Sequence, residues 1–160
     1  MIRTGIGFDI HRFKAGRKLV LGGVAIEHKV GLDGHSDADV LCHAVADALL
    51  GAIEDGDIGT HFPNSDPAWK DASSIDLLRK VAVCVKNAEA TINNVDATVI
   101  AEEPRITPHA AKMRSNIANA IGIPAGRVSV KATTAEMMGA LGRSEGIAVM
   151  AVATVDQALP

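Results

Sequence analysis

Residues 2 to 11 alternate around Ile2, Ile6, Phe8 and Ile10, with Gly5 and Gly7 between them. A period of two predicts a strand, and its glycines allow another backbone or a ligand to approach closely. Leu19-Val20-Leu21 and Val24-Ala25-Ile26 flank Gly22-Gly23, which predicts a peripheral hairpin with a two-residue primed turn. Gly31, Asp33 and Gly34 then mark a loop. Ser36 followed by Asp39 reads as a capping box for a helix through Val40, Leu41, Ala44, Val45, Ala48 and Leu49 to about Ile53, with His43 some two turns in. From Glu54 to Asp71 the chain carries Gly56, Gly59, Pro63, Asn64, Ser65, Asp66 and Pro67, too many breakers for a regular element. Phe62 and Trp69 nevertheless predict that this loop is ordered, because rings of that size need a core to reach.

Ser73 or Ser74 caps a second helix running to about Ala90, and a strand covers Val95 to Ala101. Thr107-Pro108 opens a third helix that ends near Gly122. Arg127 to Thr133 and Gly146 to Val155 are two more strands, separated by a polar turn with Thr133, Thr134, Glu136, Arg143 and Glu145. This order predicts an α+β two-layer sandwich, one mixed sheet with helices on one face. On the last strand Ile147, Val149, Ala151, Ala153 and Val155 occupy one face, while Ala148, Met150, Val152 and Thr154 are nearly as apolar on the other. Both faces therefore call for cover, and with no helix left over the expected cover is other copies of the chain.

Composition narrows the class. The 160 residues suit one domain spanning 1–160. They are 48% hydrophobic but only 2% aromatic, so the core is built from Ala, Val, Ile and Leu. A net charge of −3 and the lack of a Lys/Arg block give no reason to expect nucleic acid as a partner. Cys42 and Cys84 read as two buried, reduced thiols, which suggests the cytoplasm. No signal-peptide order and no long apolar run is seen, so neither export nor a membrane is expected.

Asp9 and His11 lie two apart on one strand and leave the same face. If the helix carrying His43 packs across the end of that strand, the three make an Asp-His-His set suited to Zn²⁺, with one coordination position open. An Asp-x-His pair alone is more often a surface salt bridge. What shifts the balance is that His35, Ser36, Asp37, Asp39 and His43 fall within nine residues, beside a helix amino terminus that favours anions. Metal plus phosphate is the chemistry this density suggests. Asp37, Asp39 and Asp47 also read as a solvated helix face, His28, His61 and His109 as ordinary surface positions, and Arg143 with Glu145 as a structural ion pair.

Five segments carry a resemblance across the whole chain: Gly7-Phe8-Asp9-Ile10-His11; His35-Ser36-Asp37-Ala38-Asp39 through His43; Gly56-Asp57-Ile58-Gly59 with Phe62-Pro63; Lys131-Ala132-Thr133-Thr134 with Glu136; and Gly142-Arg143-Ser144-Glu145-Gly146-Ile147-Ala148. Together they resemble the 2-C-methyl-D-erythritol 2,4-cyclodiphosphate synthase family. The resemblance implies a homotrimer whose sheets pack around the trimer axis, with active sites at the subunit interfaces. It implies a CMP-releasing phosphorus-oxygen lyase of the non-mevalonate isoprenoid route, acting on 4-diphosphocytidyl-2-C-methyl-D-erythritol 2-phosphate. It assigns Asp9, His11 and His43 to Zn²⁺ and Glu136 to Mg²⁺ (or Mn²⁺), one of each per site, with Asp9 and His11 also against the substrate.

By the same resemblance His35 and Ser36 contact the phosphates, and His35 with Thr134 steadies the transition state. Asp57, Ile58 and Gly59, with Phe62, Pro63, Asn64, Ser65 and Asp66, hold the methylerythritol hydroxyls. Ala101, Glu102, Glu103, Pro104, Arg105, Ile106 and Thr107, together with Thr133, Thr134, Ala135 and Glu136, supply cytidine and phosphate contacts from the neighbouring subunit. Arg143 belongs to the substrate-binding set and sits near the trimer axis. Ala140 departs from the aromatic that some members carry facing an axial cavity. Two other classes fit the residues: a non-catalytic trimeric nucleotide- or metal-binding regulator, and a zinc-dependent phosphate-ester hydrolase.

Overall fold

The computed structural model describes residues 1–158. Its strands are β1 (Ile2–Lys14), β2 (Leu19–Leu21), β3 (Val24–Ile26), β4 (Gly31–Leu32), β5 (Ala90–Ile100), β6 (Val128–Thr133) and β7 (Gly146–Gln157). The helices are α1 (Val40–Ala52), α2 (Ile58–His61), α3 (Ser74–Asn87), α4 (Ala110–Ile121) and α5 (Gly139–Gly142). A five-stranded sheet runs β4-β1-β7-β5-β6, with β5 and β6 parallel and the other pairs antiparallel. Helix α1 packs on β1 and β7, α3 packs on α1, and α4 packs on α3 and β6. This is the expected α+β layering. No helix among the described residues is long and apolar enough to cross a membrane.

On β1 it is the glycines, and not the apolar side chains, that face the core. Gly5 and Gly7 are buried, whereas Ile2, Ile6, Phe8 and Ile10, on the opposite face, are 51% to 64% exposed. The glycines face α1 at backbone distance: a Cβ on Gly7 would lie 1.9 Å from the Ala44 carbonyl oxygen, and one on Gly5 would lie 2.0 Å from that of Ala48. Helix and strand are in contact without side chains between them on the strand's part. Ten of the thirteen residues of α1 are buried, including Leu41, Leu49 and Leu50, each contributing about 1.5–3 kcal/mol. The outward face of the sheet carries an apolar half on β1 and β7, where Met150 and Val152 join the β1 side chains. Its other half, on β5 and β6, is polar, with an Asp96–Lys131 ion pair.

Strand β5 keeps its core side by means of a bulge. Ile92 pairs with Val155 and Asn94 with Thr154, so Asn93 is an extra residue. The bulge re-phases the strand so that Ile92, Val95, Ala97 and Val99 all face the core.

Several boundaries differ from the sequence reading. Asp39, not Ser36, caps α1, which makes His43 the fourth helical residue rather than one two turns in. The reason is that the Asp39 carboxylate is buried and accepts hydrogen bonds from Cys42 N–H at 3.1 Å, Gly22 N–H at 2.9 Å and Gly23 N–H at 2.7 Å. Burial pushes its carboxyl above the ordinary value, and those three N–H groups pull against the shift. Asp39 is therefore no solvated residue. The Gly22-Gly23 turn it grips, with both residues at positive φ, is the expected hairpin, but Leu19, Leu21 and Ile26 are buried and the hairpin is part of the core.

The breaker-rich stretch after α1 contains α2 and a 3₁₀ turn at Pro67–Trp69, capped by Asp57 and Asp66 respectively, whose carboxylates accept from Thr60 and Ala68 N–H. Phe62 and Trp69 meet edge to face at 5.0 Å, so the segment has the order that its rings predicted. Helix α3 stops at Asn87 because β5 begins at Ala90, earlier than expected. Thr107 opens a 3₁₀ turn without a side-chain cap, and α4 ends on Gly122 in the left-handed conformation. Cys42 is buried as expected, but Cys84 is only half-buried.

Replacing Gly7 by Ala puts a methyl group into a backbone carbonyl that no rotamer change can clear. Gly7→Ala should cost about 3 kcal/mol, at the upper end for overpacking, measured by denaturant unfolding. An unchanged midpoint would mean that α1 does not rest on this strand.

Candidate functional site

Asp9 and His11 leave β1 on the same face as Gly5 and Gly7, just beyond the point where α1 lies on the strand. The helix therefore arrives with His43 directly over them. Asp9 Oδ2 lies 2.9 Å from His11 Nε2 and 3.0 Å from His43 Nδ1, and the two ring nitrogens are 3.3 Å apart. These three atoms make a triangle whose edges suit three ligands of one tetrahedral ion at bond lengths of about 2.0–2.2 Å.

The outer hydrogen bonds orient the rings. His11 Nδ1 donates to the backbone carbonyl of Asp33, which leaves the Nε2 lone pair pointing inward. His43 Nε2 faces the hydroxyls of Ser74 at 2.9 Å and Ser36 at 3.1 Å, which leaves Nδ1 pointing inward. Ser74 in turn donates to Asp37 Oδ1, while Asp37 Oδ2 accepts from Ser74 N–H at 3.1 Å. Asp37 is thus a support for His43 through Ser74 and not part of a solvated face. Three acceptor atoms gathered this closely repel one another unless a proton or a cation lies between them. Burial pushes the Asp9 carboxyl up, but hydrogen bonds and charge from His11 and His43 outweigh it and hold Asp9 well below the usual carboxylate range. Burial likewise lowers the His11 imidazole, and the Asp9 carboxylate more than reverses it, so His11 titrates above its ordinary value.

The triangle opens into a cleft. Its walls carry Asp9, His11, His35, Ser36, His43, Ile58, Gly59, Phe62 and Asn64 from the expected set. His35 is tied to the far wall through its Nε2, 3.3 Å from the Asp66 carbonyl. Asp57 stands at the rim, its Oδ1 accepting from the Thr60 N–H at 2.7 Å and hydroxyl at 2.9 Å. Pro63, Ser65 and Asp66 continue the same loop without lining the cleft. Asp47, Trp69 and Leu77 also line it and were not singled out for it. Asp47 is half-buried, accepts from Ile58 N–H at 2.8 Å and is pushed up by burial, which overturns its reading as a solvated residue. Its position four residues after His43, on the same helix face, was the available signal.

The remaining expected residues lie elsewhere. Thr133 ends β6, and Thr134, Ala135 and Glu136 follow it, three strands across the sheet from β1 and so about 14 Å away at about 4.8 Å per strand. Thr134 Oγ1 donates to Glu136 Oε1 and accepts from Glu136 N–H, both at 3.2 Å. Glu136 and Met137 both have positive φ, and the turn is held by Glu102 Oε1, which accepts from Ala135 N–H at 2.9 Å and Met137 N–H at 3.2 Å. The segment Ala101 to Thr107 lies beside that turn, with Ala101 N–H donating to the Thr133 carbonyl at 3.0 Å. Glu103 pairs with Lys29 at 2.9 Å, and Arg143 with Glu145 at 2.6 Å as anticipated. Pro104, Arg105 and Ile106 complete the connection to α4; Ile106 is buried. One chain therefore holds the expected residues in two separate groups, both at the end of the sheet where β1 and β6 finish, and does not bring them together.

Of the histidines read as surface positions, His28 is half-buried with its ring 5.5 Å from Phe13, and His61 contacts Asp55.

The chain matches the YgbB family over residues 2–156. It is 55% identical over 157 residues to the 2-C-methyl-D-erythritol 2,4-cyclodiphosphate synthase of Salinibacter ruber, covering 98% of this chain and 100% of that protein. Among solved structures it is similar to the bifunctional IspDF of Campylobacter jejuni, with a TM-score of 0.95 and 40% identity over 99% of this chain and 43% of that one. It is also similar to a Plasmodium falciparum IspF solved as a CDP complex, with a TM-score of 0.86 and 34% identity over 99% of this chain and 97% of that one.

Proposed function

The chain belongs to the YgbB family, and on that premise we propose that it is a 2-C-methyl-D-erythritol 2,4-cyclodiphosphate synthase. It converts 4-diphosphocytidyl-2-C-methyl-D-erythritol 2-phosphate to the cyclic diphosphate and CMP, for isoprenoid precursor synthesis. The observation that carries the reading is the Asp9–His11–His43 triangle, two imidazole nitrogens and a carboxylate oxygen converging at the mouth of a cleft. The regulator and hydrolase readings are not favoured, since the relatives are named as synthases.

The donor set fits Zn²⁺, held by Asp9, His11 and His43, which would supply a fixed positive charge for a diphosphate oxygen. Glu136, a lone carboxylate, suits a hard ion such as Mg²⁺ or Mn²⁺, which keeps most of its waters. The reaction itself is an intramolecular displacement. An oxygen of the 2-phosphate forms a bond to the β-phosphorus, the bond from that phosphorus to the bridging oxygen breaks, and the electron pair leaves with CMP. The attacking oxygen is already an anion, so no side chain has to remove a proton. What the protein supplies is alignment and charge complementarity.

His35 and Ser36, at the entry to α1, hold the phosphate end. Thr134 offers a hydroxyl to the diphosphate as negative charge shifts toward the departing CMP, and His35 steadies the same charge from the other side. Asp57, held by Thr60, accepts from methylerythritol hydroxyls, and Ile58 and Gly59, with the loop from Phe62 to Asp66, shape that pocket. Ala101 to Thr107 with Thr133 to Glu136 receive the cytidine and its phosphates, a role supported by the CDP carried by a similar structure. Arg143 adds positive charge to that side.

The assembly we infer is a homotrimer in which the Glu136 half-site of one copy completes the metal half-site of its neighbour. It is supported by the separation of the halves within one chain and by the exposed apolar side chains of β1 and β7, which sheets meeting around an axis would cover. A cytoplasmic setting is proposed from the two free cysteines.

His43→Ala should abolish zinc retention and nearly all turnover, with the unfolding midpoint little changed. Full activity in a zinc-free variant would remove the metal from the mechanism. Chains carrying His43→Ala mixed with chains carrying Glu136→Ala should regain part of the activity in hetero-trimers, because some interfaces then hold two intact halves; no recovery after verified subunit exchange would place both halves within one chain. Thr134→Val, which keeps the shape and loses the hydroxyl, should lower kcat by about 10²–10³ with little change in KM. Wild-type turnover by that variant would leave the hydroxyl without a catalytic part.

A further inference from the structure

Away from the cleft, Asp55 follows α1, His61 ends α2 and Cys84 lies on α3, and they offer a carboxylate oxygen, a ring nitrogen and a sulfur all within 4.8 Å of one another. We propose that these three side chains form a second cation site, selective for a borderline-soft ion such as Zn²⁺. The site shares no ligand with the Asp9–His11–His43 triangle and stands whether or not the reading above is right.

Geometry supports it first. Asp55 Oδ2 and His61 Nε2 are 3.3 Å apart, the separation of two tetrahedral ligands with bonds of about 2.0–2.1 Å. The sulfur, with a longer bond of about 2.3 Å, would sit about 3.6 Å from each of them in a loaded site, and in the free chain it already lies within 4.8 Å of both. His61 Nε2 now donates to the Asp55 carbonyl at 2.8 Å, a hydrogen bond that loading would exchange for a metal bond.

Chemistry then selects the ion. Cys, His and Asp with one open position is a zinc-type donor set, and the sulfur argues against Mg²⁺ and Ca²⁺. Burial, and then the charge of Asp55, push the Cys84 thiol up, so the free chain keeps it protonated and a cation must displace that proton. Cys84 is half-buried, and the side chains of Asp55 and His61 are 49% and 23% exposed, which leaves an ion a way in.

The consequence lies in the cleft wall. Ile58 and Gly59 belong to the same four-residue helix as His61, and Phe62 follows it directly. A helix that short has little stability of its own. A cation bridging His61 to Cys84 would tie α2 to the long helix α3 and hold that wall in place.

The test is Co²⁺ titration of the metal-stripped, full-length protein, with ions counted after gel filtration and the near-ultraviolet spectrum recorded. Only a thiolate ligand gives a sulfur-to-cobalt charge-transfer band, and the Asp9–His11–His43 triangle has no sulfur. We expect that band in the wild type with two ions per chain. The band should persist with one ion in His43→Ala, persist in Cys42→Ala, and vanish with loss of one ion in Cys84→Ser. One ion per chain with the band would support this site and count against the triangle. A wild-type protein that binds cobalt without the band, or a band that survives Cys84→Ser, would overturn the proposal; the first outcome needs no variant to fold.

Discussion

The structure depends on one contact, the backbone of α1 against the backbone of β1 at Gly5 and Gly7. Helix–sheet packing normally keeps side chains of both partners between them. Here the strand contributes none, and the helix sits closer than it could to any other residue pair. That closeness lets His43, in the first turn of α1, reach ligand distance of two side chains on β1. The same two-residue period that sets the glycines under the helix sets Asp9 and His11 just past its end.

Around that contact, polar groups that the chain has buried are used as fasteners. Asp39 collects N–H groups from α1 and from the β2–β3 turn, joining a hairpin to the helix start through one carboxylate. Asp37 and Ser74 join α3 to the far nitrogen of His43. Each fastener is satisfied on every side the site needs, which is how the low-dielectric interior becomes an aid to ligand orientation instead of a cost. The rings are thus oriented before anything binds.

Much of this was legible in the chain. The Asp-x-His pair and His43 met as anticipated, because strand periodicity fixes which side chains share a face and the long apolar helix had only one sheet to lie on. Four of the five strands of the sheet and the three long helices were also readable, with ends misjudged by a few residues; the two-residue β4 was read as part of a loop. What could not be read was long-range hydrogen bonding. Ser36 and Asp39 have the same capping chemistry, and only the arrival of Gly22 and Gly23, some sixteen residues upstream, decides that Asp39 is the cap. The hairpin looked peripheral for the same reason. Asp47 and Asp37 looked solvated because their partners, Ile58 N–H and Ser74, come from elements whose placement no local pattern encodes. The short α2 was hidden among breakers that serve as its cap and its exit.

The bulge at Asn93 shows a different kind of constraint, one that resides in counting and not in residue type. Ahead of it the core side of β5 is marked by Ile92, and beyond it by Val95, Ala97 and Val99, three residues on and so out of step with a regular pleat. Deleting that single position would set Ile92 and Val95 two apart, in step with a regular pleat and with Val155 and Ala153 opposite them on β7. The core side of β5 would survive; what would go is the local kink and added twist that the extra residue gives the strand. Asn93 therefore sets the direction in which β5 departs and not which of its sides is buried: a substitution there changes one side chain, whereas a deletion straightens the strand.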